Sequence, residues 1–245
     1  MHGRPGSVTA GQPLSPRDEG KRAAGEAAAA LVEDGMRLGL GTGSTVRWVL
    51  EALGRRVREE GLLITGIPTS EQTAARARDL GIPLTDFATI DALDLCIDGA
   101  DEVEQGTLRL IKGLGGALLR EKIVAEASAR FIAVVDASKI VRTLGEKAPL
   151  PVEVTEFGWQ ATARRLAAIG GAPLLRQRDG APLRTDGGNL VLDCAGFAPI
   201  HDPDGLQARI KTIAGVVETG LFLGLAERAI VGMADGTASQ LYVDA

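Results

Sequence analysis

Between residues 36 and 136 the chain keeps setting a short, unbroken aliphatic run against a longer amphipathic stretch. MRLGL is followed by VRWVLEALGRRVRE, LLITGIPT by a segment capped at Ser70, and LDLCI by ALLREKIVAEAS, before the series closes on FIAVVD. A strand with one wet face alternates polar and apolar residues, so a strand that does not alternate must be covered on both sides. Runs of this length joined by helical segments fit parallel strands with crossover helices above and below them. The first half therefore reads as α/β: an open, mostly parallel, Rossmann-like sheet with helices on both faces. Aromatic residues are only 3% of the 245, beside 32 glycines, so such a core has to be aliphatic.

Ser15-Pro16 followed by Asp18 and Glu19 predicts a helix from Pro16 to Asp34, stopped by Gly35. Lys21 shares the stripe of Ala24, Ala28 and Leu31 and should point inward at the helix's N-terminal end. A short strand is expected around Ile82 to Leu84. Ahead of the helix, MHGRPGSVTAGQPLSP reads as a floppy leader and not a signal peptide, because it lacks an apolar run. No stretch approaches the roughly 18 apolar residues of a membrane span.

The pattern changes after Pro149-Leu150-Pro151. VEV, GWQATARRLAAI, PLLRQ, NLVLDCAG, a helix from Asp204 to Ile213, and VVETGLF spell β-α-β-β-α-β, the order of a ferredoxin-like unit. The tail AIVGMADGTASQLYV reads as two strands around Asp235-Gly236 that rejoin the first sheet. The expected division is a disordered leader (1–14), an α/β catalytic domain (15–145), a smaller inserted α+β domain (146–219) and a return to the catalytic domain (220–245).

A net charge of −5 without any dense Lys/Arg tract argues against a nucleic-acid or anionic-membrane partner. Cys96 and Cys194 are too few and too far apart for a disulfide framework or a metal knuckle. They read as buried free thiols of a reducing cytosol.

Three loops could carry chemistry. GLGTGST, between strand and helix, would present backbone N–H groups at a helix N-terminus, with Thr42, Ser44 and Thr45 adding hydroxyls around Gly43. It matches neither the dinucleotide fingerprint nor the P-loop, which disfavours NAD and ATP. A plain turn would also explain it. Asp98 and Asp101 of IDGADE stand where a buried strand ends, the position that faces the ligand crevice of an open α/β sheet. Taken alone, the pair is equally an Asx turn or a cap. Lys112-Gly113-Leu114-Gly115-Gly116 enters a helix on which Glu121 is flanked by Ala117 and Val124. A glutamate so placed loses hydration and its proton affinity rises, as a base for carbon deprotonation needs. The plainer alternative is that Arg120-Glu121-Lys122 is a solvated charge run. Together, an anion loop, two carboxylates, a lysine and a poised glutamate point to a small phosphorylated substrate and proton chemistry.

GTGST, IDGADE, KGLGGALLREK, VVDASK and LPVEV, in this order, resemble the type A ribose-5-phosphate isomerases, and the similarity runs from Leu14 onward. The resemblance implies an aldose-ketose isomerase that interconverts D-ribose 5-phosphate and D-ribulose 5-phosphate through a cis-enediolate, in the non-oxidative pentose phosphate pathway. It also implies no metal and no cofactor, a cytoplasmic location, and a homodimer or dimer of dimers. By position it assigns Thr42, Gly43, Ser44 and Thr45 to the phosphate, with Lys21 beside them, and Glu121 as general base. Asp98 and Asp101, with Gly99 and Ala100 between them, would handle ring opening and the sugar oxygens. Lys112, Gly113, Leu114, Gly115 and Lys139 would bind substrate, with Lys112 stabilising the enediolate.

One departure stands out. The family's loop reads Lys-Gly-Gly-Gly, and Leu114 replaces its second glycine; leucine disfavours positive φ, which bears on the loop's amide geometry. The inserted domain would serve as lid or oligomer contact. Two rival classes fit less well. A sugar-phosphate sensor of a transcription regulator would carry a helix-turn-helix ahead of it, which the segment before Leu14 is too short to hold. A coenzyme A transferase would use its glutamate as a covalent nucleophile.

Overall fold

The Ser15 hydroxyl accepts the Asp18 N–H and Pro16 occupies the first turn of α1 (Pro16–Ala29), as the sequence around them requires. The structure, a computed structural model, describes residues 14–244. Apart from Leu14, the leader expected over 1–14 lies outside the described residues. Then come β1 (Arg37–Leu40), α2 (Val46–Glu60), β2 (Thr65–Pro68), α3 (Glu71–Asp79), β3 (Leu95–Gly99), β4 (Glu102–Glu104) and β5 (Leu110–Ile111). They lead to α4 (Leu118–Glu126), β6 (Phe131–Asp136) and β7 (Ile140–Val141).

Helix α1 stops at Ala29, short of the expected Asp34. Arg56 reaches over from α2 and donates to the Ala29 and Val32 carbonyls at 2.7 and 2.8 Å. The N–H groups of Leu31 and Val32 close back only three residues, so the last turn tightens and unwinds. The strand expected at Ile82–Leu84 is reduced to one bridge, Gly66 to Leu84. Pro83 has no N–H with which to extend a ladder.

The second half contains β8 (Leu150–Val154), α5 (Trp159–Ala168), β9 (Pro173–Leu175), a small hairpin of β10 (Gln177–Arg178) and β11 (Ala181–Pro182), and β12 (Leu190–Cys194). After it come α6 (Pro203–Lys211), β13 (Val216–Thr219), β14 (Leu221–Phe222), β15 (Arg228–Gly232) and β16 (Ala238–Leu241).

The central sheet runs β16-β15-β6-β3-β1-β2; its strands are parallel except the edge strand β16, which returns antiparallel to β15. Its apolar residues divide by parity. Leu95, Ile97, Ile132 and Val134 pack with α1 and α2, while Cys96, Phe131, Ala133 and Val135 face the opposite layer. Both faces are covered, which is why the strands show no alternation. β1 and β3 are neighbours, yet the chain leaves β1 toward β2 and leaves β3 toward β6. At such a reversal the loops after the two strands diverge and open a crevice at their carboxyl ends.

A second, antiparallel sheet of order β13-β8-β12-β9, with α5 after β8 and α6 after β12, has the β-α-β-β-α-β order read from the sequence. A third sheet, β14-β5-β4-β7, was not legible beforehand. Its strands are two or three residues long, too short for any periodicity. It braces the segment that carries Lys112: β5 delivers that residue, and the Lys112 N–H donates to the Gly220 carbonyl at 2.9 Å.

Candidate active site

The crevice between β1 and β3 is built around Asp98. Its Oδ1 accepts the Thr42 N–H at 2.9 Å and the Gly99 N–H at 2.7 Å, tying the turn after β1 to the end of β3. No residue but glycine fits at position 41, where a Cβ would stand 2.3 Å from that same oxygen. The turn then enters α2, whose Thr45 N-cap makes no side-chain capping bond; the Arg47 and Trp48 N–H groups close back on the Gly43 and Thr45 carbonyls, while those of Gly43, Ser44, Thr45 and Val46 donate to no acceptor among the described residues and are left, with the helix dipole, for an anion. Ser44 is exposed beside them. The Thr42 hydroxyl is engaged elsewhere, 2.7 Å from Thr69 Oγ1, 2.8 Å from Ser70 Oγ and 3.1 Å from Thr73 Oγ1. That buried hydroxyl cluster holds the turn from behind, and the sequence reading missed it.

Past β5, Lys112 brings its ammonium to 3.1 Å from Asp98 Oδ2 and 3.4 Å from Glu121 Oε1. It also donates to the Gly99 carbonyl and lies 5.4 Å from the Phe222 ring centroid. All three charged side chains are at most 6% exposed, so two carboxylates share one ammonium in a dry site. Burial alone would pull the lysine's proton affinity down, but Asp98 and Glu121 outweigh it and hold Lys112 above the ordinary lysine range. Asp98 is pushed up by burial, against Lys112 and its two N–H donors.

Glu121 has less help. Burial, opposed by Lys112 and reinforced by Asp98, lifts its carboxyl to about 8, and its Oε2 is buried with no hydrogen-bond partner among the described residues. A base meant for a carbon-bound hydrogen looks like this, since a C–H supplies no ground-state hydrogen bond and the site must leave room for it. The solvated-triplet alternative fails: Glu121 and Lys122 are both buried, Lys122 turning away to Glu218 Oε1 and the Thr219 carbonyl, and only Arg120 reaches solvent.

The glycine loop takes positive φ at Gly113 (105°) and Gly116 (88°). Leu114 stands outside that region, so its replacement of a glycine leaves the backbone path unstrained. Its N–H donates to Asp101 Oδ2 at 2.9 Å. Lys139 follows β6 in a single 3₁₀ turn capped by Asp136, and Lys147 brackets it by donating to the Ser138 and Ile140 carbonyls at 2.7 and 2.8 Å.

One cavity of about 120 Å³ collects Thr42, Gly43, Ser44, Thr45, Gly99, Ala100, Asp101, Lys112, Gly113, Gly115, Glu121 and Lys139 in its wall. The anion turn and the poised carboxylate therefore face one small volume. Asp98 lies just behind the wall as the partner of Lys112 and Thr42. Lys21 and Leu114 stand outside it. The Lys21 ammonium is 3.4 Å from Asp18 Oδ1, and Leu114 borders a neighbouring hollow with Arg17, Ser138 and Lys147. Asp136 also lines the cavity and was not singled out. Burial opposes its charge, but Ser138 and Arg17 hold it below the usual carboxylate range. The signal was present, since an acid ends the buried run FIAVVD as Asp98 ends its own. Among the described residues no three His, Cys, Asp or Glu side chains come together as metal ligands would, and no helix is long and apolar enough to cross a membrane.

Comparison with known proteins gives the same picture. The family model for ribose 5-phosphate isomerase A (phosphoriboisomerase A) matches residues 65–236. Ribose-5-phosphate isomerase A 1 of Oceanobacillus iheyensis is 51% identical over 222 residues, which are 91% of this chain and 98% of that protein. The enzyme of that name from Gluconobacter oxydans is 54% identical over 218 residues, 88% of this chain and 94% of its own length. Among solved structures, ribose 5-phosphate isomerase A from Methanocaldococcus jannaschii superposes with a TM-score of 0.86 at 41% identity, covering 91% of this chain and 97% of that one. A D-ribose-5-phosphate isomerase in complex with phospho-erythronic acid reaches 0.88 at 37% identity, covering 92% and 99%.

Proposed function

The chain belongs to the ribose 5-phosphate isomerase A family, and from that premise we propose how its residues divide the work of interconverting D-ribose 5-phosphate and D-ribulose 5-phosphate. The phosphate sits at the Thr42–Thr45 turn, held by the N–H groups of Gly43, Ser44, Thr45 and Val46 and by the Ser44 and Thr45 hydroxyls, with Lys21 adding positive charge from α1. The sugar chain then runs toward Lys112. Asp101 and Lys139 hold its hydroxyls and help the ring open to the aldehyde.

In the open form Glu121 removes the hydrogen from C2. The electrons of that bond form the C1–C2 double bond and charge gathers on O1, giving a cis-enediolate. The Lys112 ammonium and the glycine-loop N–H groups stabilise that charge. A hydroxyl proton passes between O2 and O1, and the same Glu121 returns its proton to C1, leaving the ketose. Asp98 stays anionic throughout. It has two N–H donors and the lysine, whereas Glu121 has the lysine alone, so the shared proton goes to Glu121.

The observation that carries this reading is the buried, unpartnered Glu121 oxygen beside a fixed ammonium, in one cavity with the anion turn. The phospho-erythronic acid bound by the structural relative supports it chemically, because its planar carboxylate has the shape of an enediolate. The test is to follow ribulose 5-phosphate formation from ribose 5-phosphate by purified, chelator-treated protein in D₂O. Deuterium should enter the product at C1, and Glu121→Gln should suppress both exchange and turnover. Turnover by the Gln variant at the parent rate would refute the assignment.

Residues 146–219 are read as a lid or as the contact of a homodimer or dimer of dimers; Phe157 at 95% exposure and Leu174 at 72% are the large apolar side chains they present to solvent. The two free, buried thiols fit a reducing cytoplasm.

A further inference from the structure

Gly113 and Leu114 turn their carbonyl oxygens toward the second sheet, where one nitrogen, Arg176 Nη1, donates to both at 2.6 and 2.9 Å. The rest of the guanidinium is held by Asp193 of β12: Nε donates to Oδ2 at 2.9 Å and Nη2 to Oδ1. Arg176 lies between β9 and β10, and both side chains are largely covered, at 11% and 21% exposure. None of the steps above uses this pair.

In a trans peptide the C=O and N–H point opposite ways. The unit joining Gly113 to Leu114 is gripped at both ends, its carbonyl by Arg176 and its N–H by Asp101 Oδ2. The next unit has its carbonyl, that of Leu114, on Arg176 as well. Its N–H, that of Gly115, therefore turns the other way, and among the described residues it donates to no protein acceptor. Gly115 lines the catalytic cavity.

We propose that Arg176, fixed by Asp193, is a positioning residue for the isomerisation: from the second sheet it sets the two peptide planes of the glycine loop so that the Gly115 N–H is held ready for the oxygen charge of the enediolate. The loop needs an outside hold because three of its residues are glycines, whose backbone rotates freely. Only a planar fork can take two carbonyls on one side and a carboxylate on the other; an ammonium offers a single point. The second unit then acts as a fixed brace for the catalytic loop. This inference rests on the assignment of Glu121 and Lys112 given above.

The test compares Arg176→Lys, Arg176→Ala, Asp193→Asn and Glu121→Gln by steady-state kinetics, thermal melting and the pH profile of kcat/KM. Loss of a preorganised donor should lower kcat of the Lys variant by about 10- to 100-fold, with KM changed less than about threefold, because the lost contact acts only when charge develops. The lower pH limb should not move, since the Lys112, Glu121 and Asp98 contacts do not involve Arg176. Guanidinium ion at non-denaturing concentration should restore part of the Ala variant's kcat and none of that of Glu121→Gln.

A folded Lys variant with kcat within about twofold of the parent would overturn the proposal, as would a fall in kcat with a displaced pH limb, which would mean the charged triad had been disturbed. Should the Lys variant not fold, Asp193→Asn decides: a fall in kcat at unchanged KM supports the role, and unchanged kcat overturns it. Parent-like turnover by Glu121→Gln would sink the underlying assignment instead.

Discussion

Lys112 Nζ stands 3.4 Å from Glu121 Oε1, and neither side chain is more than 6% exposed. In the proposed mechanism burial and this contact together set the acid limb. Glu121 must be ionised to take a proton, and its carboxyl is lifted to about 8 by burial, so kcat/KM should fall about tenfold per pH unit below that value. Lys112→Met removes the neighbouring cation that lowers it and should move the limb upward. An acid limb near the ordinary glutamate range would contradict the dry-site argument.

The same residue weakens the fold it serves. Unfolded Glu121 releases its proton near 4.5 and the folded one near 8, so between these values the native state holds a proton that the unfolded state has lost. Stability therefore falls as pH rises through that window and stays low above it. Glu121→Gln leaves one carboxylate to one ammonium. It should lose about 10²- to 10⁴-fold in turnover, while its melting temperature relative to the parent climbs steadily from pH 5 to pH 8.5. A pH-independent difference in melting temperature would contradict the burial argument.

The anion turn separates binding from scaffolding. Ser44 is exposed beside the α2 N-terminus and, among the described residues, engaged with no other side chain, so Ser44→Ala should raise KM about tenfold through one charge-assisted hydrogen bond and leave stability unchanged. The Thr42 hydroxyl is enclosed by Thr69, Ser70 and Thr73. Thr42→Val should cost about 1–3 kcal/mol in urea unfolding.

Glu102, fully buried next to Asp101, accepts the N–H groups of Gly145, Lys147 and Ala148. Three donors on one carboxylate pin the loop whose Lys147 brackets Lys139. Glu102→Gln turns an amide NH₂ toward N–H groups and should cost about 3 kcal/mol. KM should rise with it as the Lys139 turn loosens, read by kinetics at a temperature where the variant is still folded.

Cys96 and Cys194 are buried, and burial pushes both thiols up, Cys194 to about 12. Neither should react with a thiol reagent in the native protein at pH 8. Both should react at once in denaturant, and fast native labelling would argue against the packing of β3 or β12.

What could be read in the sequence was whatever repeats or whatever chemistry concentrates. Non-alternating aliphatic runs gave the covered parallel sheet, and the change of rhythm after Pro151 gave the second, antiparallel sheet with its two helices. Glu121, Lys112, Asp98 and the anion turn stood out because charges and glycines gathered where buried strands end. Arg176 could not be read this way: it lies far along the chain from Gly113, and only the packing of the second sheet brings its guanidinium to that loop. The Thr69, Ser70 and Thr73 cluster was hidden for a different reason. Ser70 was correctly a cap, and nothing local says that a cap also closes a ring of hydroxyls around Thr42. The ends of α1 and of the Ile82–Leu84 segment were set by a distant arginine and by a missing proline N–H, terms that a periodicity does not contain.

Strand β6, which ends at Asp136 in the cavity, has β3 along one edge and β15 along the other. During synthesis the ribosome delivers Phe131–Asp136 long before Arg228–Gly232 emerges, so the nascent sheet waits with an open edge of unpaired backbone N–H and C=O groups on a strand that is apolar up to Asp136. A chain nicked or stopped ahead of Arg228 would keep every side chain of the proposed mechanism and still be a hazard, offering that edge to its neighbours as a template for aggregation.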